Sequence, residues 1–519
     1  MPTRPGTDPG PSTAYRQSTS PGPGSSGLPA AGPAGATPMN VHFDRRPCLA
    51  KCTFIGIRPG FAAALVLVGS LAACGGPAAH AASPGQATIV GPAASGADAG
   101  AAGKLSNWPT YHGNAARTGV ARGLPPAGPL SVAWSRPLDG AVYGQPLIVG
   151  RTVIAATEND TVYALARATG RVLWRTHVGT PVPLSRQPCG NISPLGITGT
   201  PVYDPGNGLV YAVAETTGSH AVLAGLRLAT GKVAVTRRIP APDGHPAFDQ
   251  QRAALTLEAG HVYVAFGGHF GDCGPYVGSV AAVPATGRGP ILSYRVPTSR
   301  EGGIWEPGGP VISPGGTLYV SVGNGAATRP PFDGSDSVTA LSPALRRTGI
   351  FAPATWAADN AGDLDLGSMS PALVAGGRVL AVGKRGTGYL LRAARLGGIG
   401  GQVAQGRICP AFGAAAVSGS TAYVPCEGGG MAAVSTAGGR LRVLWRGPGS
   451  ASGSPVVGGG AVWVVGLGAG TLYELGQASG AVRHRIGLGV AVPHFVSPSL
   501  SGSLVLVGTM SGVVAVAGA

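Results

Sequence analysis

From about residue 131 onward the chain alternates short apolar runs with Gly-rich breaks, and the runs return in the same order. Each unit holds an alternating segment, a turn, a second segment of the type Val-Tyr-Ala-Leu, a Thr-Gly or Ser-Gly turn, and a segment that often ends in Trp-Arg. A period-2 alternation over so few residues predicts strands, and a fixed repeat outranks any local assignment. In the clearest unit, residues 144–178, the pattern predicts strands at 146–149, 152–157, 161–166 and 172–177, with Ala168-Thr169-Gly170 as the last turn. Four antiparallel strands of this kind make one propeller blade.

Further units begin near Ile197, Gln251, Gly309, Ser368, Ala411, Ser452 and Phe495, at spacings that suit blades. The expectation is an all-β chain, an eight-bladed β-propeller of four-stranded antiparallel blades over residues 107–519. The last unit is too short for four strands, while Leu130–Leu138 reads as a lone outer strand ahead of the first blade. The two ends are therefore expected to share a blade, which closes the ring and protects its edges.

Composition agrees. With 89 Gly and 47 Pro in 519 residues, and only 11% charged, the chain has ample apolar surface for a core but poor helix-forming content, and long helices are not expected. The formal charge is +16. Residues 74–519 still carry 31 basic against 19 acidic residues, but the basic ones are scattered singly, without the clusters or interleaved aromatics of a nucleic-acid groove. Nucleic acid is therefore not an expected partner, whereas attraction to anionic lipid or cell-wall polymer is.

The front of the chain has a different character. Residues 1–38 are Pro, Gly, Ser and Thr with few large apolar side chains, a composition that cannot offset ordering entropy, and they are expected to be disordered or to precede the true start at Met39. Residues 39–73 run from Arg45, Arg46, Lys51 and Arg58 into an apolar stretch, Phe61–Leu71, that is too short to span a bilayer, which takes about 20 residues. Ala72-Ala73-Cys74 resembles a bacterial lipobox, so Cys74 is the expected lipidation site after export by the general or the twin-arginine route. Residues 74–106 are expected to be a flexible tether, leaving the folded part exported and anchored at the outer face of the membrane, or extracellular.

Of seven cysteines, four lie beyond Cys74. An oxidising compartment lets them pair. The sequence suggests Cys189 with Cys273, joining neighbouring repeats, and Cys409 with Cys426, closing a hairpin-sized loop; four buried free thiols are the alternative.

The segment Trp108-Pro109-Thr110-Tyr111-His112-Gly113-Asn114-Ala115-Ala116-Arg117-Thr118-Gly119, followed by Val162-Tyr163-Ala164-Leu165, Ala168-Thr169-Gly170 and Val172-Leu173-Trp174, resembles the pyrroloquinoline-quinone (PQQ)-like repeat propellers. That family includes quinoprotein alcohol dehydrogenases and the lipoprotein subunit of the outer-membrane-protein assembly machine, so the resemblance implies the fold without choosing between enzyme and scaffold.

In the quinoprotein enzymes, the resemblance implies PQQ on the ring axis with a calcium ion held by acidic and amide side chains, an Asp base, and a basic partner for the quinone. Tyr319–Gly325 resembles the strand that presents an Asn ligand, here Asn324. Asp359–Asp365 lies where the base would follow, at Asp363 or Asp365, and Gly383–Leu390 resembles the segment of the basic partner, here Lys384. A hard cation needs oxygen ligands, and a hydroxyl proton needs a nearby carboxylate. Against this, the chain has no adjacent Cys-Cys pair, no Cys-x-x-Cys-His haem site and no tryptophan that stands out as an interior platform. Glu215 is a possible acidic ligand but reads as a strand-end residue facing water, and His269, Asp272 and Cys273 read as a solvated loop with a disulfide in place of a zinc site. No nucleophile elbow, phosphate loop or His-Glu-x-x-His helix is present.

The function expected from the sequence is that of a non-catalytic binding or scaffold module, monomeric and without cofactor, for a protein or cell-envelope partner docking on loops 243–251, 270–276, 298–306, 328–337 and 357–367. The alternative is a quinoprotein-type oxidoreductase using PQQ and calcium through Asn324, Asp363 or Asp365, and Lys384.

Overall fold

A computed structural model describes residues 107–518, apart from 219 and 469. The expected signal, lipidation and tether segments lie outside the described residues. Eight antiparallel sheets follow one another along the chain as the eight blades of a β-propeller. Blade 1 is Leu147–Val149, Thr152–Ala156, Thr161–Ala166 and Val172–His177, hydrogen-bonded in that order, and blades 2 to 7 repeat it. Blade 8 takes Ser499–Ser501, Leu504–Thr509 and Gly512–Gly518 from the end of the chain and its outermost strand, Leu130–Pro137, from the beginning.

The burial pattern explains why the strands look different in sequence. In blade 1 the second and third strands are buried almost throughout, because a neighbouring blade covers each face, and they read as continuous apolar runs. The outermost strand, Val172–His177, alternates between half-buried and exposed, and it is the strand that shows a clean period of two.

Neighbouring blades are pinned by a repeated contact. Trp174, on the outer strand of blade 1, lies on the turn glycine Gly231 of blade 2, and its indole N–H donates to the Leu228 carbonyl at 2.8 Å. Trp134 and Trp445 do the same to Gly170 and Gly480, donating to the carbonyls of Arg167 and Gln477 at 2.9 and 3.1 Å. At Gly231, φ is +70° and a Cβ would stand 2.5 Å from the indole, so the Thr-Gly turn is required both by backbone conformation and by the flat ring packed upon it.

Blades begin two to five residues later than the repeat suggested: blade 2 opens at Val202 and blade 8 at Ser499. The intervening residues form loops on the face of the ring, and their apolar character serves the axis instead of a strand. Blade 3 gains a short pairing at Asp249–Gln250, and blade 4 an extra parallel strand at Gly398–Ile399. The insertion at 357–367 holds a short helix, Trp356–Ala361.

The segment Trp108–Val120 crosses the ring at the end where the innermost strands finish. Trp108 pairs with Ile148 of blade 1, the Pro109 carbonyl accepts from Tyr203 of blade 2, that of Ala115 from Ile312 of blade 4, that of Thr118 from Val417 of blade 6, and Val120 bridges Val457 of blade 7. Arg117, 3% exposed, donates to Thr110 Oγ1 at 2.6 Å and to the carbonyls of Tyr111 and Leu255 at 3.1 and 2.9 Å. Burial lowers its pKa to about 9 and pushes that of His112 down to about 3.

Candidate functional site

At the other end of the axis, where the second strand of each blade finishes, the loops enclose a cavity of about 270 Å³. Its walls are aromatic. Trp305 stands 6.3 Å from Phe412 and 5.9 Å from Phe495, centroid to centroid, and the two phenyl rings lie nearly parallel at 6.2 Å. These three residues come from three separate insertions, brought together only by ring closure. Trp305 is seated by glycines: a Cβ on Gly267 would stand 2.9 Å from its Cβ and one on Gly303 3.2 Å from its ring, which accounts for Gly-Gly on both sides of this contact. Phe495 holds φ at +66°, a conformation disfavoured for a bulky residue and maintained here by its packing.

Two cations border these rings. The half-buried Arg252 guanidinium lies 4.5 Å above the Phe495 ring, and burial lowers its pKa to about 10. The Lys384 ammonium lies 5.9 Å from the Phe412 centroid. His494, edge-on to Phe495, has its pKa pushed down to about 4, by burial first and then by Arg252.

The residues singled out from the family resemblance converge on Lys384. Its ammonium is 2.6 Å from Asp363 Oδ1 and 3.4 Å from Asp365 Oδ2, and Asn324 Nδ2 donates to the same Asp363 oxygen at 3.1 Å. Burial opposes the charge on Lys384, but Asp365 and Asp363 outweigh it and raise its pKa above the ordinary value. Asp365 is fully buried, which raises its own pKa despite Lys384, and its Oδ1 caps the following turn at Gly367 N, 3.1 Å. Asp363 and Asn324 instead point across blades, with Asn324 Oδ1 and Asp363 Oδ2 buried and without a donor. Asp363 adopts φ +53° to do so.

Three sequence expectations need correction. Glu215 does not face water: it is 5% exposed, accepts from the Gln251 amide, and its pKa is raised well above the usual carboxylate range, chiefly by burial. Its neighbours are Glu158 and Asp160, so it stands apart from the Lys384 group. And the interior does hold a tryptophan, Trp305; its signal was the run Gly302-Gly303-Ile304-Trp305, inside a stretch that read as a surface loop. Both disulfides form, Cys189–Cys273 and Cys409–Cys426, with Cα atoms 6.1 and 5.6 Å apart. The third is that the stretch at His269 and Asp272 is not a solvated loop: His269 is 5% exposed with its pKa pushed down to about 4 by burial, and the buried Asp272 accepts from the Tyr276 hydroxyl at 2.5 Å. Among the described residues no group of three or more His, Cys, Asp or Glu is arranged to hold a metal ion.

Fold and axial site together define an eight-bladed propeller with a loop-built cavity at one end of the axis and a chain segment across the other. The family model of the outer membrane protein assembly factor BamB matches residues 131–326. With the eight-bladed ring, that match makes the chain similar to the PQQ-like repeat propellers. Among solved structures it is similar to the quinohemoprotein alcohol dehydrogenase from Comamonas testosteroni, at 15% identity and a TM-score of 0.61 over 80% of this chain and 81% of that one. It is also similar to a europium-containing methanol dehydrogenase, at 16% identity and a TM-score of 0.59, covering 80% of this chain and 98% of that one. A third is the quinohemoprotein alcohol dehydrogenase ADHIIG from Pseudomonas putida HK5, at 14% identity and 0.56 over 79% and 80%. At these identities the likeness is one of fold. No curated protein matches the chain.

Proposed function

We propose that this protein is a binding propeller of the cell envelope, exported and held at the outer face of the membrane through Cys74, and that its working site is the axial cavity, with a planar aromatic anion as ligand. One observation carries the reading: Trp305, Phe412 and Phe495 line a single cavity with the cation Arg252, and a second cation, Lys384, stands 5.9 Å from the Phe412 ring. A flat ring gains contact with the aromatic walls, and its carboxylates gain the planar guanidinium fork. Binding of this kind asks for no catalysis. The match to an assembly factor also favours a protein or cell-envelope partner on the loops around the cavity mouth.

PQQ, a planar tricarboxylate, is the probe. Titration should quench tryptophan fluorescence to saturation, and Trp305→Phe should remove that quench, with Arg252→Ala weakening binding about tenfold, or about 1.4 kcal/mol. Unchanged fluorescence up to millimolar quinone would refute this assignment.

A second reading, a quinoprotein-type oxidoreductase, is favoured by the convergence of Asn324, Asp363 and Lys384 within hydrogen-bonding distance. The residues fit the cofactor in part. Asn324 Oδ1 and Asp363 Oδ2, each without a donor, are oxygen atoms suited to calcium, although such an ion takes six to eight ligands and would need more from the cofactor and water. When bound, PQQ supplies a two-electron quinone oxidant. Asp363 is the carboxylate placed to receive a hydroxyl proton, Lys384 fixes its position, and Trp305 and Phe412 keep water off the site. Reconstitution with PQQ and Ca²⁺ should then give alcohol-dependent dye reduction that Asp363→Asn abolishes while quinone still binds. A quinone-loaded protein that reduces no dye sinks this second reading and leaves the first intact.

A further inference from the structure

A second cavity, of about 200 Å³, lies over the junction of blades 2 and 3. Its walls come from the 182–195 loop, the end of the second strand of blade 2, the link 239–249 and the second strand of blade 3. The Cys189–Cys273 disulfide fixes the first of these to blade 3. Val182, Leu195, Ile239 and Phe266 make it largely apolar.

Its polar lining is one-sided. Asp249 is 7% exposed, and the side chain within hydrogen-bonding reach of it is another acid, Asp243, so no cationic or amide donor meets either carboxylate oxygen. Glu215, 5% exposed, uses one oxygen on the Gln251 amide and leaves Oε2 without a donor, and Gln187 Oε1 is buried and unpartnered as well. All three residues line the cavity. Leaving buried acceptors unmade is costly, about 1–3 kcal/mol each and more for a charged group, and folded chains keep few of them. The neighbouring charges give no relief. The groups acting on Asp249 are Asp243 and Glu215, and those on Glu215 are Glu158 and Asp160, every one acidic. Arg186 stands exposed at the mouth, and His269 separates this cavity from the axial one. Burial keeps His269 neutral, its pKa lowered to about 4.

Four unpaired acceptor oxygens among apolar walls call for a ligand that donates and does not accept. An ammonium group has three N–H donors, a positive charge and no acceptor. A bare divalent cation would match the charge but leave Val182, Leu195, Ile239 and Phe266 with nothing to contact. We propose that this cavity binds a small organic ammonium ion, its N–H groups directed at Asp249, Glu215 and Gln187 and its apolar body against Ile239 and Phe266. The site is opposite in charge to the axial cavity and does not depend on the function assigned there.

Burial raises the pKa of Asp249 to about 9, with Asp243 and Glu215 adding to it, so near neutral pH an arriving ammonium ion displaces a proton. Calorimetry on the full chain with phenethylamine, run at pH 7 in phosphate and in HEPES, neither of them a primary amine, should show saturable binding with release of about one proton per amine. The neutral analogue 2-phenylethanol should not bind at the same concentration. Asp249→Asn should weaken the amine at least about thirtyfold, as loss of one partner of a buried charge pair does. Ala247→Trp, at the exposed rim, should block entry without touching the core, and it carries the test if Asp249→Asn does not fold. Equal binding of the alcohol, unaltered amine binding in folded Asp249→Asn or in Ala247→Trp, calcium binding in place of amine binding, or no binding of the amine at millimolar concentration would each overturn the assignment.

Discussion

Lys384 ties together the two carboxylates of Asp363 and Asp365 beside the axial cavity. With 9% exposure it is held in place by two carboxylates, one of them fully buried, and removing it leaves Asp365 without its counter-charge. Lys384→Met should therefore lower unfolding free energy by about 3 kcal/mol, and Asp365→Asn in the same chain should restore part of it. Urea denaturation of the two variants checks both. Asn324, Asp363 and Lys384 were legible in the sequence because each sits in a local stretch resembling a known one. Trp305, Arg252, Phe412 and Phe495 were not: Trp305 lay in a stretch that read as a surface loop, the other three fell at the expected starts of repeat units, and their proximity is a product of ring closure. Glu215 was misread for the same reason, its cover being the distant Gln251.

Among the elements, the blade junctions carry the clearest consequence. Gly231 combines φ +70° with an indole 2.5 Å from any added Cβ, whereas Gly208, in the same blade and also at φ +70°, has nothing within 4 Å. Gly231→Ala should cost about 2–4 kcal/mol, from left-handed backbone strain and overpacking together, and Gly208→Ala only the strain, about 1–2 kcal/mol. The difference between their chemical-denaturation midpoints isolates the Trp174 contact. The strands themselves were readable almost to the residue in blade 1, where the outer strand alternates and the Thr-Gly turn is explicit. The starts of later blades were placed early because the apolar loop residues before them, such as Ile197 and Phe495, look like strand but serve cavity walls and blade contacts.

At the scale of the whole molecule, buried carboxylates set the response to pH. Burial raises Glu158 to about 7, Asp160 to about 8 and Asp249 to about 9, each aided by acidic neighbours or opposed only weakly by donors. With folded values above the unfolded range near 4, the native state holds protons that the unfolded chain releases, so stability declines as pH climbs from there toward 9. His112, His269 and His494, lowered to about 3, 4 and 4, act in the opposite sense but only below their ordinary value of 6.5. Arg117 and Arg252, lowered to about 9 and 10, act above the window. Between pH 6.5 and 9 the melting temperature should fall steadily, and Asp160→Asn, removing a group held to about 8, should flatten that slope; scanning calorimetry decides it, a rising melting temperature being the contrary result.

The shared eighth blade also gives folding an order in time. Leu130–Pro137 can find its partner, Gly512–Gly518, only after the seven blades between them have been synthesised. Until then seven blades stand with two open ends and an unpaired strand waiting at one of them. Such an intermediate is a template for pairing with other chains. The hazard ends in a single event, when Gly512–Gly518 emerges and pairs.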